Sequence, residues 1–166
     1  MPEVATIGVY GFSAESFIAT LRTADVGRVI DVRQRRGVRG PQYAWANSKR
    51  LQAALAGAGV AYEHRRDLAP TTELRRLQYA EDARLGVGKR SRAVLAAEYR
   101  RRYLLEILDR VDLRPLAASL ERDGLAALLC VERDPQACHR SLIAARLAQE
   151  HGATVIDLLP PVDQTL

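Results

Sequence analysis

The stretch from Leu125 to Val131, Leu-Ala-Ala-Leu-Leu-Cys-Val, decides the fold class of this chain. It is a continuous apolar run of strand length between Gly124 and Glu132, which predicts a strand buried on both faces. A polar loop containing Pro135 follows it, and the pattern from His139 to Glu150 predicts a helix. A buried strand that leads through a short loop into a helix is the repeating unit of a parallel α/β sheet.

The same alternation of strand and helix extends over the rest of the chain. Strands are predicted at Val4–Tyr10, Arg28–Val32, Val60–Glu63, Leu125–Val131 and Ala153–Leu158. Helices are predicted behind Ser13, from Asn47 to Gly57, from Thr71 to Ala83, from Ser91 to Leu108, over Leu116–Arg122 and over His139–Glu150. We therefore predict one small Rossmann-like, three-layer α/β domain over residues 1–166, with a mostly parallel sheet of about five strands. Its core should span about residues 5–158, followed by a loose C-terminal tail.

The composition is that of an ordinary globular domain. Of the 166 residues, 48% are hydrophobic and 27% are charged, which argues against disorder along the whole chain. No apolar run approaches the roughly 18 residues that a membrane helix needs, and the first residues show no signal-peptide pattern. Two cysteines cannot form a disulfide-dense scaffold. We therefore expect a cytoplasmic protein without a membrane partner; the composition indicates no particular cofactor or oligomeric state.

The chain is basic, with a formal net charge of +5 and a pI of about 9.6. Only two of its 25 basic residues are lysines, Lys49 and Lys89. Arginine binds phosphate and carboxylate groups through a bidentate fork, which favours an anionic ligand. An arginine-rich and alanine-rich chain is also typical of a GC-rich genome, so the charge alone is weak support for nucleic-acid binding.

Ligands of open parallel sheets bind at the carboxyl ends of the strands, which directs attention to the residues that follow each strand. The second strand ends in Asp31-Val32-Arg33, and strand alternation places Asp31 and Arg33 on one side. The two side chains could pair with each other. Alternatively, Asp31 could hold or deprotonate a ligand while Arg33 binds an anion. His64, at the end of the third strand, is a further candidate for acid–base chemistry or ligand contact.

A basic loop without Asp or Glu runs from Arg33 to Arg50 and contains Tyr43 and Trp45. Arginines interleaved with aromatic residues suit phosphates and bases, through charge and stacking. The alternative is a solvated loop whose aromatic side chains fold back onto the core.

The strongest local motif is Cys130-Val-Glu-Arg-Asp-Pro-Gln-Ala-Cys-His-Arg-Ser141. It places Cys138 at the N-terminus of the last predicted helix, where free amides and the helix dipole favour an anion and lower the pKa of a thiol. Cys138 is therefore a candidate nucleophile, and Arg140 could bind a phosphate or carboxylate. Glu132 could act as an acid or base, or could simply hold Arg140 or Arg33 in place. Cys130 is expected to be a core thiol, and Cys138 could be only a small capping residue.

The sequence does not contain the motifs of several common binding and catalytic sites. Gly8-Val-Tyr-Gly11 is not a dinucleotide-binding fingerprint, and a Walker motif is absent. Cys138 and Arg140 are too close in sequence for a phosphatase-type Cys-x5-Arg loop. The two cysteines and one adjacent histidine lack the usual zinc-finger spacing, so we predict no metal site.

The chain resembles the domain of unknown function 488 (DUF488) family from about Ala5 to Asp157. The matching blocks are Thr6-Ile7-Gly8, Glu15-Ser16-Phe17, Ile30–Arg33, the basic loop with Pro41, Val60–His64, Cys130–Pro135 and Cys138–Ser141. The resemblance implies a small α/β domain with a Rossmann-like sheet and no settled activity. The polar residues it carries over are Asp31, Arg33, Tyr62, His64, Glu132, Cys138, His139 and Arg140. Where the family usually has Leu-Gly-Gly after the third strand, this chain has Leu68-Ala69-Pro70.

These observations favour a pocket at the carboxyl edge of the sheet that binds phosphate, a nucleotide or nucleic acid, in a hydrolase or transferase. The catalytic candidates are Asp31, Glu132 and Cys138. The ligand-binding candidates are Arg33, His64, His139, Arg140 and Ser141. One alternative is a non-catalytic nucleic-acid-binding module, in which the loop 33–50 and the arginines from Arg75 to Arg102 form one basic face. Another is a thiol-based redox or stress protein that uses Cys138.

Overall fold

Five strands form one parallel sheet in the computed structural model, which describes residues 1–162. The strands are β1 (Glu3–Ile7), β2 (Arg28–Asp31), β3 (Ala61–His64), β4 (Ala126–Leu129) and β5 (Thr154–Leu158). Their order across the sheet is β3-β2-β4-β1-β5, and every neighbouring pair is parallel. The prediction of a parallel α/β sheet of about five strands is confirmed.

Helices flank this sheet in a three-layer arrangement. The α-helices of the described residues are α1 (Ala14–Thr23), α2 (Ser48–Gly57), α3 (Thr72–Leu85), α4 (Ala97–Glu106), α5 (Arg114–Asp123) and α6 (Arg140–His151). Ser13 caps α1 as predicted, in a reciprocal capping box with Ser16, and Thr71 caps α3 by accepting from the amide of Leu74. Asn47 precedes α2, but its Oδ1 accepts from the amide of Val38 at 2.8 Å and therefore holds the basic loop instead of capping the helix.

The predicted helix from Ser91 is wrong in its first turns, because α4 begins only at Ala97. The amide of Leu95 donates to the carbonyl of Gln136, and the amide of Ala96 donates to Oε1 of Gln78. These remote partners replace the hydrogen bonds of a helix. Val94, an apolar residue of this segment, is 62% exposed. The segment 91–96 thus becomes a connection that lies against the end of the sheet.

The core surrounds the central strand β4, whose four residues are fully buried. Burying a leucine such as Leu128 stabilises the fold by about 1.5–3 kcal/mol. α6 packs on β1, β4 and β5, and α5 packs on β1 and α6. This packing fixes the start of α6 close to the carboxyl ends of the central strands.

The C-terminal end of the chain lies only partly within the described residues. The predicted loose tail falls partly on residues 163–166, which lie outside the described residues. The single-domain boundary of 1–166 stays a prediction. Within residues 1–162, none of the helices combines the length and the apolar character needed to cross a bilayer.

Candidate functional site

Asp31 and Arg33, at the end of β2, form a fully buried ion pair. Oδ1 of Asp31 accepts from Nε of Arg33 at 2.9 Å, and Oδ2 accepts from Nη2 at 2.9 Å. The remaining amino group of Arg33 donates to the carbonyl of Ala46 at 2.9 Å. The two side chains are 0% and 1% exposed. The guanidinium is therefore occupied within the protein, and it anchors the basic loop to the end of β2.

Tyr62 and His64, both on β3, support the same corner. The Tyr62 hydroxyl donates to Oδ2 of Asp31 at 2.6 Å, and Nε2 of His64 lies 3.0 Å from the carbonyl of Arg33. Burial is the largest effect on Tyr62 and raises the pKa of its phenol. Asp31 thus has hydrogen-bond partners on both oxygens, and His64 contacts backbone. Asp31 and His64 are therefore both part of a buried polar network.

Arg140, the first residue of α6, holds the loop that follows β4. Its Nη1 donates to the carbonyl of Glu132 at 2.6 Å, and its Nη2 donates to the carbonyl of Arg133 at 3.1 Å. The side chain is fully buried. Arg140 therefore positions the backbone of the site, and its role in binding an anion stays a prediction.

Gly8 allows this loop to approach β1. A Cβ atom at Gly8 would lie 2.0 Å from the carbonyl oxygen of Glu132 and 3.2 Å from Nη1 of Arg140. Any side chain at this position would collide with backbone, which has no room to move. The glycine of the Thr6-Ile7-Gly8 block is thus required by packing beneath the site.

Cys138, Cys130 and His139 form a compact cluster at the start of α6. The Nδ1 atom of His139 lies 3.6 Å from Sγ of Cys130 and 3.8 Å from Sγ of Cys138. The other ring nitrogen, Nε2, lies 2.8 Å from the carbonyl of Val32. A carbonyl only accepts, so Nε2 carries a proton and the imidazole presents Nδ1 to the two sulfur atoms. Ser141 donates to the carbonyl of Cys138 at 2.8 Å and so stabilises this turn.

The groups around Cys138 favour the thiolate form of this residue. Burial by itself raises the pKa of the Cys138 thiol, but the hydrogen bond from Cys130 and the charges of His139 and Arg140 outweigh it and hold that pKa well below its ordinary value of 9.0. Burial lowers the pKa of His139, but the adjacent thiolate outweighs this and raises it. Burial raises the pKa of Cys130 well above its ordinary value. These shifts favour the thiolate form of Cys138, the protonated ring of His139 and the neutral thiol of Cys130.

Glu132 completes the site and faces the cluster. Its Oε2 lies 3.5 Å from Sγ of Cys130, and its Oε1 accepts from Nη2 of Arg92 at 2.7 Å. Burial and the neighbouring Cys138 thiolate raise the pKa of Glu132. A carboxyl group with a raised pKa keeps its proton at higher pH and can donate it to a leaving group.

A pocket of about 50 Å³ lies between this cluster and the segment 89–99. This space is sufficient for a few water molecules or a small anion. Of the predicted site residues, Arg33, Glu132, Cys138 and His139 line it. Asp31, His64, Arg140 and Ser141 are not among the lining residues. Cys138, although only 1% exposed, therefore borders a cavity.

Besides Arg92, which pairs with Asp82 and Glu132, three cations on the pocket wall are absent from the sequence-based site: Arg35, Arg75 and Lys89. None of the three lies within 4.0 Å of a carboxylate among residues 1–162. Arg75 donates to Oε1 of Gln34 at 2.8 Å and to the hydroxyl of Tyr79 at 2.9 Å. In the sequence these three residues share only their position in the basic segments 33–50 and 75–102. The sequence does not reveal that the two segments meet.

The aromatic residues of the basic loop fold back onto the protein. The Trp45 ring packs on Phe17 at 4.9 Å between centroids, and the Tyr43 ring packs on Tyr10 at 5.2 Å. The Tyr43 hydroxyl also accepts from the amide of Gly11 at 3.1 Å. The loop is thus pinned at its centre by aromatic contacts, as in the second interpretation of the sequence.

The sulfur atoms of Cys130 and Cys138 and a ring nitrogen of His139 all lie within 4.8 Å of one another, a spacing that could hold a metal ion. Hydrogen bonding among these three groups accounts for the same arrangement, and the predicted absence of a metal stays a prediction.

Comparison with protein families shows a match over residues 13–147 to the domain of unknown function DUF488. This chain belongs to the DUF488 family. The matched region contains β2, β3, β4 and all the predicted site residues of this DUF488 protein, whereas β1 with Gly8 and β5 lie outside it. No curated protein and no solved structure matches the chain.

Proposed function

We propose that this DUF488 protein is a cysteine-dependent hydrolase or transferase whose pocket takes a phosphate group of a nucleotide or nucleic acid. The single observation that carries the proposal is the position of Cys138. Cys138 lines a small pocket, its sulfur lies 3.8 Å from Nδ1 of His139, and cationic side chains line the same cavity.

The chemistry follows from the charges around the pocket. A thiolate is the nucleophilic form of cysteine, and the pKa of Cys138 is held low. Arg35, Arg75 and Lys89 supply positive charge and have no carboxylate partner within residues 1–162, which favours an anionic substrate group and stabilises charge that develops on it. A helix N-terminus adds to this field.

The reaction we propose has two steps. In the first, the Cys138 sulfur forms a bond to phosphorus while the bond from phosphorus to the leaving oxygen breaks, and protonated Glu132 gives that oxygen its proton. In the second, water or an acceptor hydroxyl attacks phosphorus, its proton passes to the Glu132 carboxylate, and the Cys138 thiolate leaves. Water makes the protein a hydrolase, and another hydroxyl makes it a transferase.

The test is turnover of p-nitrophenyl phosphate, bis(p-nitrophenyl) phosphate and a 5′-phosphorylated oligonucleotide by the wild type and by Cys138→Ser. We expect turnover of at least one substrate, and a loss of about 10³-fold or more in kcat/KM for the variant, because a nucleophile has been removed. Thermal unfolding within a few degrees of the wild type verifies that the variant is folded. Turnover that survives in the folded variant, or an inert wild type that also fails to bind inorganic phosphate, overturns the proposal.

A second candidate, a thiol-based redox protein, is favoured by one observation: the sulfur atoms of Cys130 and Cys138 contact the same nitrogen of His139. A hydroperoxide would oxidise Cys138 to a sulfenic acid with release of an alcohol, and the Cys130 thiol would then displace water to form a disulfide. Mass spectrometry after one equivalent of hydrogen peroxide tests this candidate. A loss of two hydrogen masses, absent in Cys130→Ser, supports it, and unchanged thiols remove it.

A further inference from the structure

A groove of about 600 Å³ adjoins the pocket of Cys138. The two cavities share four lining residues: Arg35, Arg75, Tyr79 and Lys89. The two cavities are therefore adjacent, and a ligand group in the small pocket would lie next to the groove. The combined site is much larger than a single phosphate requires.

The groove is lined by five cations and by no Asp or Glu. The cations are Arg35, Arg39, Arg75, Lys89 and Arg90. None of them lies within 4.0 Å of a carboxylate in the described part of the chain. Some other arginines of the protein are paired; Arg102, for example, pairs with both Glu73 and Glu106. The five cations of the groove share one concave surface, which suits a ligand with several negative groups.

Flat groups line the same surface. The Arg90 guanidinium lies over the rings of Tyr10 and Tyr43, at 5.3 and 5.2 Å from their centroids, and donates to the carbonyl of Arg39 at 3.0 Å. Tyr79 is 39% exposed, with the guanidinium of Arg75 5.7 Å from its ring centroid. Tyrosine rings and guanidinium planes are surfaces on which unpaired bases stack.

We infer that this groove binds single-stranded nucleic acid and leads one of its phosphates to Cys138, an inference that rests on the proposed function and names its substrate class. A mononucleotide offers one phosphate group and leaves most of the five cations without a partner. A strand places successive phosphates along them. A duplex would hide the faces of its bases from the tyrosine and arginine planes, whereas a single strand presents them.

The test is the binding of 3′-fluorescein-labelled single strands of about twelve nucleotides, measured by fluorescence anisotropy at several salt concentrations. It uses Cys138→Ser, which keeps the groove and removes turnover. We expect binding that weakens with salt, with a log–log slope of about −0.7 for each phosphate contacted. Adding Arg39→Gln and Arg90→Gln should weaken binding about tenfold at low salt and reduce the slope by about 1.4.

The matched control adds Arg22→Gln and Arg110→Gln, which remove the same charge from exposed residues that do not line the groove. This control should bind like the parent. An equal loss in both double variants indicates general electrostatic attraction and overturns the inference, as does stronger binding of duplex than of single strands. If strands do not bind but small phosphate esters are still turned over by the wild type, the inference fails and the proposed function stands. If strands bind but Cys138→Ser keeps full turnover, the proposed function fails and the groove remains a strand-binding site.

Discussion

Nη2 of Arg92 donates to Oε1 of Glu132 at 2.7 Å, although the two residues are 40 positions apart in the chain. The same guanidinium donates to Oδ2 of Asp82 at 2.5 Å and to the carbonyl of Ala137 at 3.2 Å. One buried side chain thereby connects α3, the loop after β4 and the turn before α6. The wall of the Cys138 pocket depends on this connection.

Arg92→Met should destabilise the protein by about 3–5 kcal/mol, because it leaves the buried carboxylate of Asp82 without its cation and removes the hydrogen bond to Glu132. Urea unfolding followed by circular dichroism measures the change. Arg84→Met removes an arginine whose ion pair with Glu81 is exposed, and its unfolding midpoint should match that of the wild type. Equal midpoints for the two variants would show that the Arg92 connection is not needed.

Cys138 should titrate at a pH well below 9.0, since its folded pKa is lowered. A lowered pKa means that the thiolate is present at all pH values above that folded pKa and is lost as the pH falls through it. The absorbance of a thiolate at 240 nm, taken as the difference between the wild type and Cys138→Ser, measures the titration. Cys130→Ala removes a hydrogen-bond donor and should move the midpoint upward. A wild-type midpoint near 9.0 would contradict the thiolate assignment.

Asp31 and Arg33 should show strong energetic coupling. Replacing one member alone, as in Asp31→Asn, leaves a buried guanidinium without its counter-ion and should cost about 3–5 kcal/mol. Combining Asp31→Asn with Arg33→Met should cost less than the sum of the single changes, because the second change removes the unpaired charge. The four free energies of unfolding form a double-mutant cycle. Additive costs would mean that the pair does not contribute as a unit.

Gly8→Ala should destabilise the fold by about 1–3 kcal/mol, because its methyl group would meet the carbonyl oxygen of Glu132. For a chain of this size we expect the thermal midpoint to fall by roughly 2–4 °C per kcal/mol. Gly57→Ala is the control, since nothing lies within 4 Å of a Cβ atom built there. A Gly8→Ala protein as stable as the control would show that the loop can move away.

The architecture could be predicted because its signals are local. The apolar run before Cys130 and the Ser13 cap each depend on neighbouring residues, and both are present in the fold. Strand alternation also predicted that Asp31 and Arg33 could pair. The helix start at Ser91 could not be corrected from sequence, because remote groups on α3 and on the loop after β4 take the amides of Leu95 and Ala96.

The candidate site was only partly predictable, for the same reason. Cys138, His139 and Glu132 are close in sequence, so one motif reveals them. Lys89 and Arg92 reach the pocket from a segment without a recognisable motif, and Gly8 is needed only because the carbonyl of Glu132 lies above it. Cys130 was expected to be a core thiol, and it is buried, but it also lines the pocket and contacts Glu132.

The strand order has a consequence for biosynthesis. β1 is made first, yet its partners in the sheet are β4 and β5, which are made last. While the polypeptide emerges from the ribosome, β2 and β3 can pair early, whereas β1 must wait until more than 120 residues have been translated. The Cys138 thiolate acquires its surroundings only when β4 joins the two halves, so an unfinished chain carries no reactive centre.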